Sequence, residues 1–152
     1  MADEITCTSN LNVRSGTSQI YQSQGGSFRA DMGTVKGPSP GALSVPKAGR
    51  NVYFNELTQP GIAFIKAHPD NEGYIQVGIF DPQSLVSYFL LELLPGEAYP
   101  IRFNRNLQEQ FSGSGTGTTG PENYLRLKAE KDRANGTYNI LTIEAFESAG
   151  DT

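Results

Sequence analysis

The chain has 152 residues, a net charge of -4, no tryptophan and one cysteine. That length suits a single domain with a core of its own, burying roughly 70% of the unfolded surface. A lone cysteine rules out an intramolecular disulfide, and scattered lysines and arginines in an acidic chain argue against nucleic acid or anionic lipid as the main partner.

The first fifty residues are polar and rich in turn formers. Ile5, Cys7, Ser9, Leu11 and Val13 share one parity and suggest a strand, and Phe28, Ala30 and Met32 suggest another. Breakers lie between them at Ser15-Gly16-Thr17 and Gln24-Gly25-Gly26. The run from Gly37 to Gly41 (GPSPG) excludes helix and central strand, because proline lacks the N–H that a ladder needs. Residues 1–47 therefore read as an extended N-terminal arm, and residues 48–152 as the folded domain.

From Arg50 onward the pattern is clearer. Asn51 to Phe54 is a short strand, and Gly61 to Ala67 (GIAFIKA) is a second, followed by a polar turn from His68 to Gly73. Residues 73–103 then hold three strands in succession. Tyr74, Gln76, Gly78 and Phe80 alternate with Ile75, Val77 and Ile79, and Asp81-Pro82 ends the run. Leu85 to Leu94 ends at Pro95-Gly96, and Ala98 to Phe103 follows. Side chains of a strand alternate between faces, while proline and glycine supply the angles that reverse the chain. Asn104 to Gln110 has room for one helical turn, and residues 110–121 (QFSGSGTGTTGP) read as a surface loop. A strand begins at Tyr124. Asn135-Gly136 is a type I′ hairpin signal, and Tyr138 to Ala145 alternates as the last strand. About eight strands at this spacing predict an all-β fold, an antiparallel β-sandwich of jelly-roll type with an extended arm.

The chemical motifs each meet a plainer explanation. Gly115, Gly117 and Gly120 satisfy G-x-G-x-x-G, yet Pro121 and a strand follow where a dinucleotide site needs a helix N-terminus. His68, Asp70 and Glu72 are turn residues, and one histidine with one cysteine is too few for a zinc site. Histidine-assisted nucleophilic catalysis has only His68 to use, Cys7 has no basic neighbour, and no G-x-S-x-G elbow occurs. The expectation is no enzyme: no catalytic residue, no cofactor-binding residue, no metal ligand and no cofactor. Arg102, Arg105, Arg126, Lys128, Lys131 and Arg133 form the densest basic region, interleaved with acids as in a solvated face. The N-terminus MADEITCTSN has no apolar segment of the secretory kind, which predicts folding in a reducing cytosol. Charged residues are only 18%, against about 25% on average, a hint of surface buried against other copies.

Four segments in order carry a resemblance: Val52 to Leu57 (VYFNEL), Gln59 to Ala63 (QPGIA), Tyr74 to Gly78 (YIQVG) and Leu93 to Ala98 (LLPGEA), closed by a strand from Leu141 to Glu147. Over residues 50–147 this pattern resembles small virion structural proteins of tailed bacteriophages. The resemblance implies a β-sandwich that decorates or cements a phage head. Its localisation would be the virion, after assembly in the host cytoplasm. Its partners would be the major capsid protein or other virion proteins and copies of itself, a trimer being expected, with no direct nucleic acid and no membrane. It offers no catalytic residue to carry over. The alternatives are a neck or tail component, and a carbohydrate-binding β-sandwich using Tyr21, Tyr53, Tyr88 and Tyr99 as stacking platforms, although such tyrosines are more often core or interface aromatics.

Overall fold

The computed structural model describes residues 4–23, 25–31, 37–54, 56–57, 60–81, 85–103 and 124–147. The G-x-G-x-x-G string, the helical turn expected at 104–110 and the Asp81-Pro82 turn beyond Asp81 lie outside these residues. The described residues form twelve strands and no helix: β1 (Glu4–Ser9), β2 (Asn12–Ser15), β3 (Ser18–Gln22), β4 (Gly26–Asp31), β5 (Ser39–Val45), β6 (Arg50–Tyr53), β7 (Pro60–Ala67), β8 (Ile75–Asp81), β9 (Val86–Leu93), β10 (Ala98–Arg102), β11 (Tyr124–Ala129) and β12 (Asn139–Glu147). All pairings are antiparallel.

Strands β5 to β12 make two four-stranded sheets. Sheet I has the order β10-β7-β12-β5 and sheet II the order β6-β11-β8-β9. Apart from the β8–β9 hairpin, every step along the chain changes sheet. The cause is visible in β12, where Asn139, Leu141, Ile143, Ala145 and Glu147 are buried and the residues between them are not. One face of each strand is apolar, and each sheet needs the other to cover it. Leu43, Val45, Ile65, Leu141 and Ile143 from sheet I join Val52, Ile75, Val77, Leu93 and Leu127 from sheet II in one cluster. Full burial of each such aliphatic side chain contributes about 1.5–3 kcal/mol. Phe54 and Phe103, which follow β6 and β10, meet at 5.3 Å between ring centroids and join the sheets at one end.

Two expectations are corrected here. The boundary between arm and domain does not fall at 47/48, because β5 pairs with β12 from Ser39↔Ala145 to Val45↔Asn139 and buries Leu43 and Val45. Pro40 is accommodated because β5 is an edge strand, where a missing N–H costs no ladder bond. The Asn135-Gly136 turn is also not a hairpin: β11 pairs with β6 and β8, whereas β12 pairs with β5 and β7. The chain turns there and crosses to the other sheet.

Residues 4–31 form a separate ribbon. β1 pairs with β4 and β2 pairs with β3, one nested within the other. The expected single strand from Ile5 to Val13 breaks at Asn10-Leu11. There the Leu11 N–H donates to Ser23 Oγ and the Ser23 N–H to Leu11 O, both at 2.8 Å. Gly16, with φ +59, supplies the left-handed backbone of the β2–β3 turn.

Candidate functional site

Among the described residues, the chemically active types do not converge. His68 accepts the Asp70 N–H at Nδ1 (3.2 Å) within an exposed turn, and the Asp70 carboxylate stands 3.9 Å from the same nitrogen. Glu72 turns instead to Arg133, 3.7 Å away. Cys7 is on the ribbon, opposite Phe28 in the β1–β4 ladder. Among the described residues, no group of three or more His, Cys, Asp or Glu is placed to hold a metal ion.

The basic residues of β11 are structural where their contacts are visible. Arg126 donates to Asn51 Oδ1 (3.0 Å) and to the Ala48 carbonyl (3.1 Å), and its guanidinium lies 5.7 Å from the Phe80 ring centroid. The loop passes so close that a Cβ at Gly49 would sit 2.6 Å from Arg126 Nη2. One charged side chain thus ties three segments of sheet II together, in a geometry suited to packing rather than to phosphate.

All four tyrosines named from the sequence are exposed. They do not form one platform: Tyr21 is on the ribbon, Tyr53 and Tyr88 are on the opposite edges of sheet II, and Tyr99 is on an edge of sheet I. The Tyr99 phenol is hydrogen-bonded to Glu97, which holds its pKa above the ordinary value, with desolvation and the Glu97 charge acting in the same direction.

Among the described residues, exposed apolar side chains gather most densely in two places. The first is the ribbon. Every residue of β2 and β3 is exposed, including Val13, Ile20 and Tyr21, and so is Leu11. A two-stranded ribbon with no second layer has little to stabilise it alone. The second is β9, the edge of sheet II. Val86, Tyr88, Leu90 and Leu91 are all exposed on it, with Leu90 at 77%.

A bulge explains β9. Val77 pairs with Leu91 but Gly78 pairs with Phe89, so Leu90 has no partner on β8. A Cβ at Gly78 would collide with the Tyr88 carbonyl oxygen and lie 2.7 Å from Phe89 Cα, so only glycine permits this approach. The run from Leu85 to Leu94 is almost wholly apolar, a composition that a strand buried on both faces would also have. The extra residue shifts its parity, and the edge position leaves one side open.

No family model, no curated protein and no solved structure matches the chain.

Proposed function

We propose that this protein is a virion structural protein of a tailed bacteriophage, a decoration or cement protein that binds the outside of the head and stabilises it. The observation that carries the reading is the strand order. Strands β5 to β12 lie in two sheets, β10-β7-β12-β5 and β6-β11-β8-β9, and change sheet at every step but β8–β9, which supports a jelly-roll reading of the body. Jelly rolls are recurrent among viral capsid and lectin domains. The segments from Val52 to Glu147 that resemble phage virion proteins fall within this body. The exposed ribbon supports an assembly role, since its apolar side chains would gain burial only against another surface.

Attachment in this reading is geometric. The body supplies a rigid platform, the ribbon reaches a neighbour, and many modest contacts add through multivalency. The protein acts as a homo-oligomer, three copies being expected, on the major capsid protein or other virion proteins. It performs no chemistry, takes no cofactor and contacts neither nucleic acid nor membrane. Immunogold electron microscopy of the encoding phage, with antibody against this chain, tests the assignment. Label over the head is the expected result. Label confined to neck or tail moves the protein there, and unlabelled intact virions remove the reading.

A second reading, a carbohydrate-binding jelly roll, draws on the four exposed tyrosines. Their separation over three strand edges and the ribbon disfavours a single glycan platform. A glycan array separates the two readings, with no binding expected.

A further inference from the structure

We propose that the N-terminal ribbon of one copy docks on the β9 edge of a second copy, head to tail, as an added strand of sheet II. This rests on the assembly reading above and specifies which surfaces join.

The four outer edges of the two sheets differ sharply. β5 carries Pro40 and Gly41, β10 carries Pro100 and Arg102 within five residues, and β6 is four residues long and starts at Arg50. Proline, positive charge and shortness are the devices that keep an edge from pairing with another chain. β9 has eight residues (VSYFLLEL), no proline and no lysine or arginine. The bulge twists it, yet the same bulge turns Leu90 outward. A long apolar edge with open main-chain groups is a template for an extended strand.

The ribbon is the matching occupant. It is already extended, each of its strands pairs on one side only, and Leu11, Val13, Ile20 and Tyr21 are exposed. Charge selects it over a second β9. β9 holds Glu92 and no lysine or arginine, so a second β9 offers it no opposite charge. The ribbon as a whole is neutral, with Glu4 and Asp31 at its base, but its outer part, β2 and β3, holds Arg14 and no carboxylate. The apolar tip of the ribbon, with Arg14, therefore meets an apolar edge that carries Glu92, a pairing of opposite charges that a second β9 lacks. Such a contact is heterologous, and it closes into a ring when the rotation between copies allows.

Sedimentation of the full chain and two exposed-site variants tests this. Ile20→Lys damages the ribbon and Leu90→Lys damages the edge, and Leu11→Lys and Tyr88→Lys serve if either first choice fails to fold. The wild type is expected to sediment as an oligomer, and each variant as a monomer with the wild-type thermal transition. An equimolar mixture of the two variants retains one intact ribbon and one intact edge, so it recovers a dimer and nothing larger. A monomeric wild type, an Ile20→Lys chain with wild-type mass, or a mixture that stays monomeric overturns the proposal. These measurements use no virion. A chain that passes them yet labels no phage particle keeps this contact and loses the decoration role.

Discussion

Asn71 and Asn139 each bind the main chain beside the other. Asn71 Nδ2 donates to Ile140 O (2.9 Å) while its Oδ1 accepts the Ile140 N–H (2.8 Å). Asn139 Oδ1 accepts the Glu72 N–H (2.8 Å) and its Nδ2 donates to Lys131 O (2.7 Å). Both side chains are buried, so the turn after β7, the start of β12 and the turn after β11 are satisfied without water. Asn139→Ala leaves the part-buried Glu72 N–H and Lys131 carbonyl without their partner and is expected to cost about 1–2 kcal/mol. Asn139→Asp keeps the acceptor but sets a carboxylate against the Lys131 carbonyl, and is expected to cost at least as much at neutral pH. Urea midpoints measure both. A change under about 0.5 kcal/mol for either would mean that water replaces the lost bonds.

Gly78→Ala addresses the bulge. The new methyl meets the Tyr88 carbonyl and Phe89 Cα, so β8 and β9 must separate, at about 2–3 kcal/mol. Gly96→Ala is the control. It has φ +86 but nothing within 4 Å of the new Cβ, so only backbone strain of about 1 kcal/mol is expected. Amide exchange in β9 should accelerate in the first variant and stay unchanged in the second. Equal effects would place the cost in the backbone and not in the close approach.

Two truncations locate where the body begins. A chain starting at Gly37 loses the ribbon and keeps β5, and it should retain the thermal transition while failing to assemble. A chain starting at Ala48 loses Leu43, Val45 and the whole β5–β12 ladder. It also loses the Lys47 N–H bond to Asp132 (2.7 Å) and the Ala129 N–H bond to Pro46 O (3.2 Å). It should melt far lower or fail to fold, since removing two core aliphatics at about 2–5 kcal/mol each approaches the stability of a domain. An unchanged transition for the second chain would return β5 to the arm.

Tyr99 supplies a pH prediction. Its phenol is bonded to Glu97 in the folded chain, so its folded pKa exceeds the unfolded value of about 10. The stabilisation is fully present below the unfolded value and is lost as pH rises through the folded one. Spectrophotometric titration should show one tyrosine ionising late, and Glu97→Gln should return it toward the ordinary range. The same substitution weakens the acceptor for the Leu94 N–H (2.8 Å), so the Pro95-Gly96 turn should loosen with it.

Much of the body is legible in the sequence because its strands are half buried and obey a two-residue period. Ile75, Val77 and Ile79, and Leu141, Ile143 and Ala145, share a parity and face one way, and Pro95-Gly96 reverses the chain as expected. The period fails where the physics differs. β5 is hidden by Pro40 and Gly41, which only an edge tolerates, and β3 (SQIYQ) has no apolar alternation because neither of its faces is buried. Partner choice is also invisible to local pattern. Asn135-Gly136 signals a reversal, but only the apolar faces of all the strands decide that β12 goes to sheet I. The candidate surfaces are harder still, because the run from Leu85 to Leu94 has the composition of a core, and its exposure comes from a bulge and an edge position.

The place of β12 has a consequence for how the chain is made. β5 has one neighbour in its sheet, and that neighbour is β12, with Leu43 paired to Leu141. During synthesis β5 emerges before every other strand of the body and waits for the last of them. Closing so distant a pair is entropically costly and slow. Throughout that interval the ribbon and the apolar face of β5 leave the ribosome uncovered. Until β12 arrives, the apolar face of β5 has no strand of its own sheet beside it, so the body closes only when its last strand is made.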